Sequence, residues 1–455
     1  MKGRSIRIGA GSAYELDRID SAVEMAERGD VRYLCFETLA ERTLSFAQLR
    51  KMANPAAGYN PLTEARLRAV LPACVENGIK IIGNFGAANP LGAADVARRV
   101  IDNMGFTGLK VATVLGDEVR DLLTPSMTLW ESGGPLSEQE GEVISANAYI
   151  GAEPIVAALR TGADIVIIGR AADPSLFLAP LMYELGWTLD DWDRLGAGTV
   201  VGHLLECTEQ VTGGTYLDPG YSEDVPNIAH LGFPIAEVYE NGEAIISKTP
   251  GTGGMVTRNT CKAQLLWELH NPEAYLTPDV TADFSHVHFE EVGPDQVRMS
   301  GAGGRARPAE LKALIGIRQG YIGEGQVSWG GPGCYEKAKA AAEIVKARLE
   351  PVMEDIDDLR VDFIGVNSIM GPEAPQPETP PNEVRLRIAG RTRTEEAAIR
   401  IGQEMEMMWF GPVGASGVSQ DIRPCLAMYS TQVPRDLVQP SIVTEAGHVA
   451  EAQLA

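Results

Sequence analysis

The sequence is short of cysteine, of basic residues and of long apolar runs. The six cysteines are scattered over 455 residues without a CxxC pair, which argues against a disulfide framework. Lys and Arg number 39 against 62 Asp and Glu, and the net charge of −23 argues against binding to nucleic acid or to anionic membranes. No apolar run is long enough to cross a bilayer, and no signal peptide precedes Ile6. We therefore expect a soluble, cytoplasmic protein with reduced cysteines.

The composition is otherwise that of a folded protein of more than one domain. Hydrophobic residues make up 44% and charged residues 22% of the chain. A chain of 455 residues exceeds the size of one ordinary core. The pattern changes near residue 198, so we predict an α/β domain over 1–198 and an α+β domain over 199–455.

The first half alternates short apolar strands with helices. Strands that are apolar throughout are typical of a sheet covered on both faces, so we predict a doubly wound, mostly parallel sheet. The predicted strands are 5–9, 32–37, 79–83, 109–115 and 164–169, and the predicted helices are 19–28, 67–77, 92–104, 146–160 and 173–185.

Ligands of such sheets bind beyond the carboxyl ends of the strands. The loops at that rim supply possible donors to an anionic group, at Ser12, Asn84, Asn89 and Arg170. They also supply the acids Glu37, Asp117, Glu118 and Asp173. Because Asp173 directly precedes a proline, we interpret it as a helix N-cap.

The Gly-rich turn at 9–12 is incomplete as a dinucleotide fingerprint. Tyr14 stands where GxGxxG requires its third glycine. We therefore expect no nucleotide cofactor here and interpret the turn as a tight strand-to-helix connection.

The segment 200–216 is the densest run of reactive residue types, with His203, Glu206 and Cys207 in five positions. A helix over 199–209 would place these three side chains on one face. That face can hold a metal, or supply a base with an acid or nucleophile, or be a buried polar cluster between domains. The segment is not HExxH and no third outside ligand is visible, so we predict catalysis without a metal.

Two glycine turns offer backbone N–H groups to negative charge. Thr212, Gly213 and Gly214 form the first, where an oxyanion could bind. In the second, a hairpin over 233–248 leads to Lys248, Thr252, Gly253 and Gly254, and a helix over 259–269 follows. Strand, glycine loop, lysine and helix N-terminus together predict an anion site. The alternative is a flexible link between hairpin and helix.

Several segments together resemble the acyclic terpene utilisation AtuA family. They include IIGNFGAANPLGAA at 81–94, GADIVIIGRAADPSL at 162–176, GHLLECTEQVTGG at 202–214 and TPGTGGMVTRNTCKAQLLWEL at 249–269. The similarity runs from about Arg7 to beyond Lys346. The first loop reads GAGSAYELD, whereas many members are closer to GASGFWGD, which suggests a different substrate.

The resemblance implies an enzyme of carboxylic-acid or acyl-CoA breakdown, and a small companion protein of ferredoxin-like fold. We accordingly expect a homo-oligomeric lyase or hydratase that removes a proton next to the carbonyl of a carboxylate or CoA thioester. Glu206 would be the base, with Cys207 or His203 assisting. The alternatives are a hydrolase with Cys207 as nucleophile, and a non-catalytic subunit that binds an acyl ligand or a partner.

Overall fold

A computed structural model describes residues 3–222, 224–375, 377–411, 413–444 and 447–449. The α-helices in the described part of the chain are α1 Asp20–Arg28, α2 Glu41–Ala53, α3 Thr63–Asn77, α4 Pro90–Asn103, α5 Glu153–Arg160, α6 Asp173–Leu185, α7 Trp192–Leu205, α8 Arg258–Leu265, α9 Cys334–Leu349 and α10 Glu395–Glu406.

The strands of the described residues are β1 Ser5–Ser12, β2 Tyr33–Phe36, β3 Lys80–Gly83, β4 Val111–Leu115, β5 Glu142–Ala148, β6 Ile165–Ile168, β7 Pro234–Tyr239, β8 Ala244–Lys248, β9 Tyr275–Leu276, β10 Thr281–Asp283, β11 His288–Gly293, β12 Gln296–Ser300, β13 Gly303–Arg305, β14 Glu310–Gly330, β15 Ile356–Ile364, β16 Glu383–Thr392, β17 Ser416–Pro434, β18 Ser441–Thr444 and β19 Gly447–Val449.

The backbone falls into two compact units. The first comprises 1–136, 144–315 and 429–455, and the second 137–143 and 316–428. The boundary predicted between residues 198 and 199 lies inside the first unit. Whether the regions on either side of that boundary fold separately stays a prediction.

The first unit is built on an eleven-stranded sheet of order β11-β12-β8-β7-β1-β2-β3-β6-β4-β18-β19. The five central strands, from β1 to β4, are parallel. The strands on both flanks are antiparallel, because hairpins rather than helices connect most of them. The predicted α/β class is confirmed, but the sheet as a whole is mixed rather than mostly parallel. Its doubly wound character stays a prediction.

The parallel strands form because the side chains on both faces of each strand are apolar. Every residue of β2 and of β6 is buried, which only a sheet covered on both faces allows. The polar residues begin where each of these strands ends. The carboxyl ends of β1, β2, β3 and β6 therefore carry the side chains that form the site described below.

Helix α7 approaches its neighbours closely through glycines. A Cβ on Gly196 would lie 2.0 Å from the carbonyl oxygen of Gly303, and one on Gly202 would lie 2.6 Å from the Cα atom of Pro174. The helix predicted over 199–209 was misplaced: it begins at Trp192 and ends at Leu205, with Glu206 as its C-cap. Gly196 and Gly202 therefore lie on the face of α7 that contacts its neighbours. Gly202 brings the end of α7 against the start of α6.

The helix predicted over 146–160 was also partly wrong. Residues 142–148 form β5, which pairs with β14, and the helix α5 begins only at Glu153. The apolar residues at 144, 146 and 148 alternate with polar ones, the spacing of a strand rather than of a helix.

The second unit contains helices α9 and α10 and four strands, in the order β15-β16-β14-β17, of a five-stranded sheet whose fifth strand, β5, pairs with β14. Its chain order, strand–helix–strand–strand–helix–strand, is that of the ferredoxin-like split βαβ motif. Buried Leu386 and Ile388 pack with Val345 and Ile401 in one apolar core. The separate companion protein implied by the family resemblance stays a prediction.

In the part of the chain that the structure describes, no helix combines the length and apolar character needed to span a bilayer.

Candidate functional site

Arg170, at the end of β6, is the centre of a group of buried carboxyls. Its side chain is 1% exposed. Nη2 forms an ion pair with Asp173 and lies 3.9 Å from Glu37 Oε1. Nη1 donates to the carbonyl of Leu39, and Nε donates to that of Ala171 at 2.7 Å. The sequence predicted Arg170 as a ligand for substrate. In the structure its guanidinium is engaged by the protein and acts as the counter-ion of two carboxyls.

Glu37 is held in place by the polar residues of the neighbouring strand ends. Its Oε1 accepts hydrogen bonds from Asn84 Nδ2 at 2.9 Å and from the backbone N–H of Leu39 at 2.6 Å. Asn84 Oδ1 in turn accepts from the backbone N–H of Thr38 at 2.7 Å. Ser12 Oγ donates to the carbonyl oxygen of Glu37 at 2.6 Å. Ser12 and Asn84, both predicted to bind substrate, are thus brought together here, where they position Glu37.

His203 and Glu206 form a pair at the end of α7. His203 Nδ1 lies 2.9 Å from Glu206 Oε1, and its Nε2 lies 3.3 Å from the carbonyl oxygen of Leu265. The other carboxylate oxygen, Glu206 Oε2, is buried and has no hydrogen-bond partner among the described residues. Buried carboxylate oxygens are normally satisfied, so this one requires an explanation in terms of function or of a bound molecule.

The two halves of the site interact electrostatically. Burial raises the pKa of Asp173 well above its usual value, and the negative charges of Glu37 and Glu206 add to that effect against the opposing charge of Arg170. Burial likewise raises the pKa of Glu37, with Arg170 opposing and Glu206 adding. We call Glu37 and Asp173, which pair with Arg170, together with Glu206, whose charge acts on both, the carboxyl cluster. Like charges that interact in this way favour retention of a proton within the cluster.

The carboxyl cluster is accessible at one point. The side chain of Asp173 is 35% exposed, whereas those of Arg170 and Glu37 are 1% and 7% exposed. The side chain of Glu206 is 11% exposed. Asp173 is therefore the most solvent-accessible of these four charged side chains.

An aromatic wall borders the pair His203 and Glu206. The ring of His203 lies 5.4 Å from that of Tyr275 and 5.6 Å from that of Phe284, and the last two are stacked at 4.8 Å. Burial opposes protonation of His203, but the hydrogen bond and charge of Glu206 outweigh it, so the pKa of His203 is raised. Burial, and after it the charge of Glu206, raises the pKa of Tyr275 well above its usual value. The imidazole is thereby favoured as a cation paired with Glu206.

Cys207 follows Glu206 but lacks the surroundings of a nucleophile. Burial raises the pKa of its thiol, and the nearby charge of Glu206 adds to the shift. A catalytic thiol needs neighbours that favour the thiolate. The sequence-based role of Cys207 as nucleophile finds no support in this environment.

The donors of the turn Thr212–Gly214 are used within the protein. The N–H groups of Thr212 and Gly214 bind the carbonyl of Glu209 at 3.2 and 2.7 Å, and that of Gly213 binds Gln210 at 3.1 Å. An oxyanion at this turn would have to displace these bonds, so a substrate role for it stays a prediction.

The hydrogen-bond donors of the loop after β8 are also used within the protein. Lys248 Nζ donates to the carbonyl of Thr252 at 2.8 Å and lies 3.4 Å from Asp295 Oδ2. The N–H groups of Gly253 and Gly254 each bind a backbone carbonyl at 2.7 Å, and Thr252 Oγ1 binds that of Thr249 at 2.6 Å. The described contacts do not bring this loop to the carboxyl cluster, and anion binding there stays a prediction.

Asn89 is the N-cap of α4. Its Oδ1 accepts from the N–H of Gly92 at 3.1 Å, and its Nδ2 donates to Ala57 at 2.8 Å. Both ends of the amide are therefore used to hold the helix start.

Among the described residues, no group of three or more His, Cys, Asp and Glu side chains is arranged to hold a metal ion.

Two residues of the site, Asp173 and Tyr149, were not predicted from the sequence to belong to it. Asp173 was interpreted as an N-cap, but Ala172 occupies that position and makes no side-chain cap, while Asp173 points to Arg170. The spacing Arg170-x-x-Asp173 at a strand end was the available signal. Tyr149, placed in a predicted helix, follows β5, and Arg170 lies 4.6 Å from its ring centroid.

A search of curated proteins found no relative that matches this chain. A family model does match, and it covers residues 6–444, from the first strand to the end of β18. That range contains the whole of the carboxyl cluster. The chain therefore belongs to the acyclic terpene utilisation family, AtuA.

Proposed function

We propose that this chain is an enzyme of carboxylic-acid or acyl-CoA catabolism that adds or removes water next to a carbonyl group. The family name places its members in the utilisation of acyclic terpenes, which are branched compounds. The reaction requires a base at the carbon next to the carbonyl and an acid at the departing hydroxyl. The carboxyl cluster supplies one group for each role.

Glu206 is the base in this proposal, and the observation that carries it is the unpartnered oxygen Oε2. His203 fixes the carboxylate through Oε1 at 2.9 Å, which leaves Oε2 to accept a proton. A base held by a second side chain in this way is oriented before substrate arrives.

Asp173 is the acid. Burial and its carboxyl neighbours raise its pKa, so that it retains a proton at a higher pH than an ordinary aspartate. Its partly exposed side chain makes that proton accessible to a bound molecule. In the dehydration direction Glu206 takes the proton on the carbon next to the carbonyl, the carbon–oxygen bond breaks, and Asp173 protonates the hydroxyl, which leaves as water. Hydration is the reverse.

The test is turnover of 3-hydroxyacyl and 2,3-unsaturated CoA thioesters of branched acids, followed by the absorbance of the conjugated double bond. Glu206→Gln should lower kcat by at least about a hundredfold, since general-base groups contribute about 10²–10⁴-fold. Glu209→Gln is the matched control, because Glu209 follows Glu206 by three residues in the chain and its carboxylate pairs with Arg18 instead.

Two results would contradict the proposal. One is full activity of the Glu206→Gln variant with an intact fold by circular dichroism. The other is absence of turnover and of thermal stabilisation by any CoA thioester or free carboxylate, which would favour a non-catalytic subunit. A ligand at about 100 times its Kd should stabilise the protein by about 2.7 kcal/mol.

A further inference from the structure

A cleft in the first unit shares no lining residue with the carboxyl cluster, although the backbone N–H of Ile150 in its wall donates to the carbonyl of Arg170 at 3.5 Å. Its volume is about 330 Å³, which is in the range of small-molecule pockets, of about 300–1,000 Å³. Apolar side chains of Ile150, Pro154, Leu311 and Val438 form much of its wall. None of Glu37, Arg170, Asp173 and Glu206 lines it.

Two arginines line this cleft and only one has an ion-pair partner. Arg307 Nη1 lies 3.0 Å from Glu153 Oε2. Arg435 donates Nε and Nη2 to a single backbone oxygen, that of Pro308, at 3.2 and 2.9 Å. No ion pair joins Arg435 to a carboxylate of the described chain. Burial and the nearby charge of Arg307 lower the pKa of Arg435, and the charges of Asp279 and Glu153 oppose them only in part.

The remaining acid of the lining, Asp279, makes no hydrogen bond or ion pair with Arg435 among the described residues. Asp279 Oδ1 accepts from the backbone N–H of Ala152 at 2.7 Å, and Oδ2 accepts from Ser175 Oγ. Burial raises the pKa of Asp279 despite these bonds. A Cβ on Gly151 would lie 2.3 Å from Asp279 Oδ1, so the glycine is what lets the carboxyl pack against the backbone. Both carboxylate oxygens are thus used within the protein.

We propose that this Arg307–Arg435 cleft binds the anionic head of a ligand whose apolar body lies against Ile150, Pro154, Leu311 and Val438. Two guanidinium groups suit a carboxylate or a phosphate, because each has five N–H donors and keeps some of them beyond those bound to Glu153 and to Pro308. The shared chemistry is an anion attached to an apolar or flexible chain. The assignment does not depend on the chemistry proposed for Glu206.

Isothermal titration calorimetry of the full chain tests the proposal with two probes, octanoate and inorganic phosphate. The wild type should bind at least one of them, octanoate if the ligand head is a carboxylate and phosphate if it is a phosphoryl group. Loss of one charge-assisted contact should weaken binding about tenfold or more in Arg307→Gln and in Arg435→Gln. Val438→Phe, which fills the cleft, should weaken octanoate binding and leave both arginines in place.

Two controls separate this site from the carboxyl cluster. Arg160→Gln, an exposed change in the last turn of α5, should bind like the wild type. Glu206→Gln should also bind like the wild type, so that failure of the proposed reaction leaves this test intact. If Arg435→Gln fails to fold, Arg307→Gln and Val438→Phe decide the matter. The proposal is overturned if neither probe binds the wild type, or if these variants bind as tightly as the wild type.

Discussion

Removal of the Arg170 guanidinium should destabilise the protein strongly and in a pH-dependent way. Arg170→Met keeps the bulk of the stem but leaves Glu37 and Asp173 without their counter-ion. At 3.9 Å and an effective dielectric constant of about 20, the attraction to Glu37 alone is about 4 kcal/mol. The contact with the Tyr149 ring at 4.6 Å adds about 2 kcal/mol.

The net loss should be smaller than the sum of these attractions. The variant is spared the cost of burying the guanidinium, and Asp173 is partly exposed and screened by water. Deletion of one partner of a buried pair typically costs about 3–5 kcal/mol, and we expect a loss of free energy of unfolding in that range. Urea unfolding at neutral pH measures it. Arg98→Met, which breaks an exposed pair with Asp95, is the control and should cost at most about 0.5 kcal/mol.

The pH dependence follows from the raised pKa of both carboxyls. A carboxyl whose pKa is higher in the folded state destabilises the fold when ionised, and that penalty grows as pH rises from the unfolded towards the folded pKa. Without Arg170 these folded-state pKa values rise further. The loss caused by Arg170→Met should therefore be greater at about pH 8 than at about pH 5. A loss below about 1 kcal/mol, or one independent of pH, would refute Arg170 as their counter-ion.

Three further predictions concern the end of α7. Gly202→Ala should cost about 1–3 kcal/mol in urea unfolding, because its Cβ would meet Pro174 at 2.6 Å, whereas Gly3→Ala should be neutral; equal stability of the two would contradict the close approach. The raised pKa of His203 means that its contribution to stability is present at low pH and lost as pH rises through that pKa. His203→Gln should therefore cost more at about pH 5.5 than at about pH 9, and the opposite trend would argue against an imidazolium–carboxylate pair. Iodoacetamide should label Cys207 slowly in the native protein and readily after denaturation, as mass spectrometry of the peptide would show; rapid native labelling that substrate blocks would instead favour the hydrolase alternative.

The sequence predicted the parallel strands and the rim where the polar residues gather, since both follow from local patterns. Apolar runs such as 165–168 are unambiguous, and the residue after each run necessarily lies at the strand end. The pairing of Arg170 with Asp173 was not predicted, because the same Asp–Pro step is also typical of a helix cap. The position of α7 was not predicted, because glycine disfavours a helix, and the packing of Gly196 against Gly303 and of Gly198 against Leu178 depends on the whole fold.

The glycine turns show a second limit of prediction from sequence, which concerns the partners of backbone N–H groups. Sequence identifies backbone N–H groups that could bind an anion, but not whether a carbonyl of the same protein already accepts from them. The N–H of Gly254 binds the carbonyl of Pro226, a partner 28 residues away that no local pattern indicates. Burial, likewise, is a property of the whole fold, and no local pattern indicated that Glu206 would be buried with an unpartnered oxygen.

Deuterium exchange tests most directly whether Glu206 moves a proton next to a carbonyl. Saturated branched acyl-CoA thioesters are incubated with the protein in D2O, and NMR follows the hydrogen on the carbon next to the thioester carbonyl. The wild type should replace it by deuterium, Glu209→Gln should do the same, and Glu206→Gln should not exceed the rate without protein. Exchange by Glu206→Gln at the wild-type rate would contradict the assignment of the base.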